Sequence, residues 1–174
     1  MPTWIFGYGS LIWKPDLPYT EERWARLEGW GRRFWQGSPD HRGTPKRPGR
    51  VLTLVQDPGR VCWGKAFCLE PSQEDATLAK LNHREKAGYE TRRVIVETPQ
   101  GPLEAWIYIG LPDNPHFLGP ASPDEMLRHI AAARGPSGSN RDYVLKLAQA
   151  LESRLTEDND PELFTLAKAL NSGR

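Results

Sequence analysis

The stretch WIFGYGSLIW, residues 4–13, is an apolar run that is interrupted by Gly-Tyr-Gly-Ser and then resumed. Apolar and aromatic residues that end at glycine are typical of a β-strand entering a tight turn. The exposed N–H groups of such a turn can hold a carboxylate or an oxyanion. A plain turn between two strands fits the same local pattern, so this stretch alone leaves both interpretations open.

The turn does not have the sequence of a phosphate-binding loop. GYGSLI contains the first two glycines of a dinucleotide fingerprint, but Ile12 stands where the third glycine is needed. Pro15 and Pro18 would stop a helix directly afterwards. The chain also lacks a Gly-Lys-Ser/Thr sequence, which excludes a nucleotide-phosphate loop.

Further strand-like segments fill the first two thirds of the chain, each ended by Gly, Pro or Asp. Pro-Gln-Gly-Pro, residues 99–102, cannot continue a strand and predicts a hairpin turn. We therefore expect a mostly antiparallel sheet, with residues 38–50 as a long loop without regular structure. The predicted strands are RRFWQGS (32–38), RVLTLVQ (50–56), VCWGKAFCLE (61–70), YETRRVIVET (89–98) and LEAWIYIG (103–110).

Cap signals predict where the helices begin. A Ser-x-x-Asp pattern from Ser72 predicts a helix to about Asn82, and Ser-Pro-x-Glu from Ser122 predicts a second helix. Tyr143, Leu147 and Leu151 would lie on one face of a helix, which predicts a third helix. Asp160-Pro161 is a typical helix start and predicts a fourth.

Length and composition are those of one globular domain, residues 1–174. With 38% hydrophobic and 26% charged residues, and 23 basic against 22 acidic residues, the chain argues against a dedicated nucleic-acid or membrane binder. Its apolar runs are far below the roughly 20 residues that span a bilayer, and the first residues do not have signal-peptide character. These observations predict a cytoplasmic protein.

The two cysteines fit that location. Cys62 and Cys68 fall in one predicted strand, where six residues span about 20 Å. A disulfide needs Cα atoms within about 7 Å, so these thiols cannot pair within the strand.

Metal and covalent-nucleophile chemistry are weakly supported. The four histidines are scattered, and the chain contains no HxxxH, HExxH or CxxC spacing. It has no Gly-x-Ser-x-Gly elbow, and Ser10 has no obvious histidine base nearby in the sequence.

Basic residues are concentrated between positions 23 and 50, with eight Arg or Lys against two acidic residues. A local positive field favours anionic ligands. Solvated arginines on a sheet face would give the same pattern. Trp24, Trp30, Phe34 and Trp35 interleave with these charges, so single-strand nucleic-acid binding is a further alternative.

Glu85 lies in LNHREKAGYETR, residues 81–92, where a predicted helix gives way to a strand. A solvated helix end is the ordinary interpretation of such a charged run. The position at the junction keeps Glu85 a candidate catalytic acid.

Several segments in order resemble the ChaC family of glutathione-specific γ-glutamylcyclotransferases. The similarity runs from about Trp4 to Leu147, with Ala87 replacing the first glycine of the family's usual Glu-Lys-Gly-Gly-Tyr. The matching segments are FGYGSLIWKPD, RRFWQGSPDHRGTP, PGRVLTLV, NHREKAGYE, PDNPHFLGP and GPSGSNRDYVLKL.

The resemblance implies an α+β fold, a mixed and mostly antiparallel barrel with flanking helices. It also implies a lyase reaction in which reduced glutathione releases 5-oxoproline and cysteinylglycine, without a metal, cofactor or attacking water. The implied partner is this small molecule alone, with no nucleic acid, membrane or obligate protein partner. Cyclisation of other γ-glutamyl-amino acids or γ-glutamylamines is an alternative within the same fold.

Residue by residue, the resemblance implies that Glu85 is the catalytic acid and base. It implies that the turn at residues 8–11 holds the γ-glutamyl group, largely through backbone N–H groups. It also implies that the Tyr143 hydroxyl donates a hydrogen bond to the substrate. For a second loop, which contains Ser38, Asp40 and His41, the resemblance implies only that it lies near the substrate. The implied substrate-binding residues are Tyr8, Gly9, Ser10, Leu11, Gln36, Arg42 and Tyr143.

Overall fold

The computed structural model describes residues 1–86, 88–154 and 160–173, with the side chains of residues 84–86 excluded. Within these residues, five strands close into a barrel, in which their order is first, third, second, fourth and fifth along the chain. The first and fifth strands pair in parallel, and the other described barrel pairings are antiparallel. The strands are β1 (Trp4–Gly7), β2 (Tyr19–Ser38), β3 (Gly49–Leu69), β4 (Tyr89–Thr98) and β5 (Gly101–Gly110).

In the part of the chain that the structure describes, four α-helices and a small two-stranded ladder accompany the barrel. The second helix has the full predicted capping box, in which Ser122 Oγ accepts from the Glu125 N–H and the Glu125 carboxylate accepts from the Ser122 N–H. The helices are α1 (Glu74–Lys86), α2 (Pro123–Ala132), α3 (Asn140–Leu151) and α4 (Pro161–Ser172), and the ladder is β6 (Arg134–Gly135) with β7 (Gly138–Ser139).

The prediction of an α+β fold with a mostly antiparallel barrel and flanking helices is confirmed. The predicted β4–β5 hairpin is present, but its turn is tighter than residues 99–102, because Thr98 pairs with Gly101 and Pro102 continues β5 opposite Glu97. Helix α4 begins at Pro161 with Asp160 as its cap. The prediction that Ser72 caps the first helix was wrong, because Ser72 lies in a 3₁₀ turn (Pro71–Gln73) capped by Glu70. The helix itself begins at Glu74 and runs four residues beyond Asn82.

Strand β2 begins thirteen residues before the predicted segment at position 32. Its first half is rich in charged residues, but Ala25 and Leu27 still alternate into the core. The predicted break before Val61 is a bulge, since residues 57–60 stand opposite Gly29 between two regular pairings. Pro58 therefore needs no ladder hydrogen bond, and β3 continues past it.

The core fills the barrel and the space beneath α3 and α4. Tyr143, Leu147 and Leu151 are buried, as their spacing predicted. Cys62 and Cys68 are free and buried within β3, which confirms that they do not pair. None of the helices that the structure describes is long and apolar enough to cross a membrane.

Candidate active site

An open cleft of about 390 Å³ lies beside the turn that follows β1. Segments distant in sequence reach it from the first turn, the loop after β2, the last turn of α1, the start of β4, and α3. Six of the predicted substrate-binding residues line this one cleft: Tyr8, Gly9, Ser10, Leu11, Arg42 and Tyr143.

The turn after β1 is held in a fixed shape. Strand β1 ends at Gly7, and residues Ser10–Ile12 form a single 3₁₀ turn in which the Ile12 N–H donates to the Gly9 carbonyl at 3.0 Å. The Tyr8 hydroxyl donates to the Tyr108 carbonyl on β5 at 2.5 Å. Both contacts fix the backbone that borders the cleft.

Tyr143 of α3 meets this turn from the opposite side. Its hydroxyl accepts from the Leu52 N–H at 3.3 Å, and its ring packs edge-on against Trp13 with centroids 5.3 Å apart. A Cβ added at Gly9 would lie 3.0 Å from the Tyr143 hydroxyl. Glycine is therefore what allows the turn and the tyrosine to approach so closely.

Arg42 brings a positive charge to the cleft from the predicted irregular loop. Residues 39–48 do lack helix and strand, but β2 and β3 extend into the two ends of the predicted loop, so the loop is shorter than predicted. Arg42 is largely buried, with an exposed fraction of 8%. Its guanidinium lies 5.6 Å from the Tyr143 ring centroid and donates to the Ser139 carbonyl at 3.3 Å. The backbone N–H of Arg42 donates to Ser38 Oγ. These contacts orient a cation toward the same space as Tyr143.

Gln36 is placed differently from the other predicted binding residues. Its side chain is completely buried and exchanges two hydrogen bonds with the Asn114 amide, at 2.9 and 3.1 Å. Gln36 therefore ties β2 to the segment after β5 and is not among the described cleft-lining residues.

The backbone of Glu85 lies in the last turn of α1, and its side chain is outside the described residues, as is Ala87. His83 and Tyr89, which precede and follow it, both line the cleft. Gly88 has φ +98°, a left-handed conformation that lets the chain turn from α1 into β4. Residues that line the cleft thus lie on both sides of Glu85 in the sequence.

The described residues offer little for a metal ion. Within residues 1–86, 88–154 and 160–173, no group of three or more His, Cys, Asp or Glu side chains is suitably arranged.

Comparison with known proteins accounts for this combination of barrel and cleft. The model of a family described as "ChaC-like protein" matches residues 3–172. The chain belongs to the ChaC-like family. The match extends the region of similarity through α4, beyond the segments that the sequence motifs cover.

ChaC-like relatives are similar over most of their length. "Glutathione-specific gamma-glutamylcyclotransferase 1" of Danio rerio is 44% identical, covering 96% of this chain and 88% of the relative. The Homo sapiens protein of the same name is 40% identical, covering 97% and 78%. A crystal structure of the yeast γ-glutamyl cyclotransferase specific to glutathione matches with a TM-score of 0.89 and 35% identity, covering 99% of this chain and 97% of that one.

Asn140 is a residue that sequence reasoning missed, and it supports the cleft from α3 without lining it. It is fully buried at the start of α3, and its amide makes two hydrogen bonds of 2.7 Å with the backbone N–H and C=O of Arg50. Ser139 already caps this helix. A second cap-type residue directly after the cap was therefore the available signal that Asn140 has another task.

Proposed function

We propose that this ChaC-like chain is a γ-glutamylcyclotransferase that converts glutathione into 5-oxoproline and cysteinylglycine. The observation that carries the proposal is the meeting of the turn at residues 8–11, Arg42 and Tyr143 in one cleft. The names of the relatives, which share up to 44% identity over nearly the full chain, support the same reaction and substrate.

The substrate supplies its own nucleophile in this reaction. The free α-amine of the γ-glutamyl unit attacks the γ-carbonyl carbon, and a five-membered lactam ring closes. The C–N bond to cysteinylglycine then breaks, and a proton is transferred from the attacking amine to the departing nitrogen. Holding the chain in this folded shape can supply up to about 7–11 kcal/mol of the barrier lowering.

Glu85 is the proposed proton carrier. It takes a proton from the attacking ammonium and later delivers one to the departing amine, which is general base and then general acid catalysis. The placement of cleft-lining residues on both sides of the α1–β4 junction supports this role. The four tyrosines of the cleft provide the partly apolar surroundings that such a carboxyl group needs: Tyr8, Tyr89, Tyr108 and Tyr143.

The turn after β1 is the proposed cradle for the γ-glutamyl unit. Backbone N–H groups of residues 8–11 stabilise the negative oxygen of the tetrahedral intermediate or the α-carboxylate. Such donors are effective because they are already oriented before the reaction begins. Arg42 and Lys14, which line the cleft, supply the positive charge that attracts the two carboxylates of glutathione.

Tyr143→Phe is expected to lower kcat/KM for glutathione about twofold to tenfold, as befits one neutral hydrogen bond. The ring contacts with Trp13 and Phe34 persist in phenylalanine, so the fold is retained. Steady-state release of 5-oxoproline measures the effect, with Tyr19→Phe, on the start of β2, as the matched control. Equal kcat/KM in wild type and Tyr143→Phe would assign Tyr143 to the core alone.

The substrate is tested by assaying glutathione, γ-glutamylalanine and γ-glutamyl-lysine side by side. We expect 5-oxoproline from glutathione with a kcat/KM at least about tenfold above the other two, a difference of about 1.4 kcal/mol in transition-state binding. Faster turnover of either rival substrate would reassign the enzyme within the same reaction class. The absence of 5-oxoproline, together with salt-sensitive binding of single-stranded oligonucleotides, would favour the nucleic-acid alternative.

A cytoplasmic location is proposed with this function. Both described cysteines are reduced and buried, which suits a compartment that keeps thiols reduced.

A further inference from the structure

Arg32 of β2 is buried behind the turn that lines the cleft. Its exposed fraction is 4%, and it borders a separate pocket of about 130 Å³. The guanidinium Nε donates to the Tyr8 carbonyl at 2.8 Å, and Nη2 donates to the Trp63 carbonyl on β3. A charged donor therefore holds the backbone of the proposed cradle from the side away from the ligand.

The hydrogen bond to the Tyr8 carbonyl determines where the next N–H points. The carbonyl of Tyr8 and the N–H of Gly9 belong to one peptide group, and the described chain contains no cis peptide. In a trans peptide these two groups point in opposite directions. With the carbonyl directed to Arg32, the Gly9 N–H is directed away from Arg32, and Gly9 is one of the residues that line the cleft.

The same hydrogen bond strengthens the Gly9 N–H as a donor. A positive charge on the carbonyl side polarises the peptide group, because hydrogen bonds that share a peptide reinforce each other. A charge-assisted bond in a buried site polarises more than a neutral bond at the surface. Arg32 thus acts on both the direction and the acidity of the donor that the cradle offers.

Asp160 keeps this cation in place from the far end of the chain. Its Oδ2 pairs with Arg32 Nη1 at 3.0 Å, and its Oδ1 accepts from the Leu163 N–H as the cap of α4. Both side chains of this ion pair are largely buried, with exposed fractions of 2% for Arg32 and 10% for Asp160. An ion pair in such surroundings is held in one geometry, because either partner alone would be a costly buried charge.

We infer that Arg32 is a positioning residue that orients and polarises the Gly9 N–H toward the reacting γ-glutamyl group, with Asp160 of the α4 cap as its counter-ion. This inference rests on the proposed function. It also gives α4 a task, because the last helix supplies the charge that fixes the cradle from behind.

Arg32→Met is expected to lower kcat about tenfold or more, with KM changed less than about threefold. Removing a whole oxyanion donor costs about 10²–10³ in kcat, and a misdirected donor retains part of its effect. Arg33→Met is the matched control, because the neighbouring Arg33 pairs with Asp57 at 2.6 Å and otherwise donates to the backbone carbonyl of Arg32, not to the Tyr8 carbonyl. Both variants are assayed below their unfolding midpoints, and only Arg32→Met is expected to lose kcat.

Asp160→Asn tests the same positioning role of the Arg32–Asp160 pair if Arg32→Met does not fold. Asparagine keeps the helix cap and the side-chain shape but removes the counter-charge. We expect a twofold to fivefold loss of kcat by the reasoning applied to Arg32. Asp57→Asn, which breaks the Arg33 pair instead, is expected to leave kcat unchanged.

A spectroscopic measurement separates positioning from general destabilisation. The amide ¹⁵N resonance of Gly9 reports polarisation of the peptide it shares with Tyr8. It is expected to move upfield in Arg32→Met and less far in Asp160→Asn, while Arg33→Met leaves it in place. Either an unchanged kcat or an unchanged Gly9 resonance in folded Arg32→Met protein would overturn the inference.

Failure of the inference and failure of the proposed function give different results. Wild-type protein that releases no 5-oxoproline from glutathione contradicts the function. Active wild type together with a fully active, folded Arg32→Met or Asp160→Asn contradicts only the positioning role.

Discussion

Replacing Glu85 with glutamine is expected to lower kcat for glutathione about 10²- to 10⁴-fold, the range that a positioned proton carrier contributes. Glutamine keeps the size of the side chain but can neither accept the proton of the attacking ammonium nor deliver one to cysteinylglycine. Because ring closure also depends on orientation, the variant retains the part of the rate that comes from holding the substrate folded. KM is therefore expected to change far less than kcat.

Release of 5-oxoproline under steady-state conditions measures the loss, and thermal unfolding shows whether the fold persists. Glu90→Gln is the matched control: this exposed glutamate lies five residues further on, in β4, and pairs with Arg92 at 3.5 Å. We expect that control to keep full activity. A Glu85→Gln protein with activity within about threefold of wild type would remove Glu85 from the mechanism.

Local patterns predicted much of this fold because the interactions concerned are local. The Ser122–Glu125 capping box joins residues three apart, and the β4–β5 hairpin is set by a four-residue turn. The amphipathic spacing from Tyr143 to Leu151 was sufficient for α3. In each case the physical cause lies within one turn of helix or one hairpin, where a sequence can display it.

The roles of the arginines could not be predicted in this way. The excess of basic residues between positions 23 and 50 suggested a field for anions, but the structure uses these side chains for different tasks. Arg32, Arg42 and Arg50 are all buried and donate to backbone carbonyls, but of these three only Arg42 lines the cleft. The partner that decides the role of Arg32 is Asp160, which is 128 residues away in the chain.

The role of Gln36, which the family resemblance implied, also depends on a residue that is distant in the chain. The motif places it next to the second loop, and Gly37 and Ser38 do line the cleft. Its own side chain turns to Asn114, 78 residues further along, and fills the space beside Gly110. Proximity along the chain therefore identified the correct loop, while the direction of one side chain depended on a distant strand.

Asn140→Ala is expected to destabilise the protein by about 2–5 kcal/mol, since it leaves a buried N–H and a buried C=O of Arg50 without partners. For a chain of this size, that corresponds to an unfolding midpoint lower by about 5–15 °C. Thermal and urea unfolding measure the loss. Asn171→Ala, an exposed asparagine near the end of α4, is the matched control and is expected to change stability by less than about 0.5 kcal/mol.

Activity is expected to fall with stability, because the same amide joins the start of α3 to the start of β3. Arg50 lies two residues before Leu52, whose N–H donates to the Tyr143 hydroxyl, and Asn140 lies one helical turn before Tyr143. Loss of the amide frees α3 to shift along β3, and a displacement of about 1 Å in a binding group can cost about 10²-fold in rate. A folded Asn140→Ala protein with wild-type kcat/KM would show that Tyr143 is held by its ring contacts alone. The loop that carries Arg42 leads into β3 at Arg50, the residue that Asn140 holds. A loss of kcat/KM larger than that of Tyr143→Phe would therefore show that Asn140 positions more of the cleft than the Tyr143 hydroxyl.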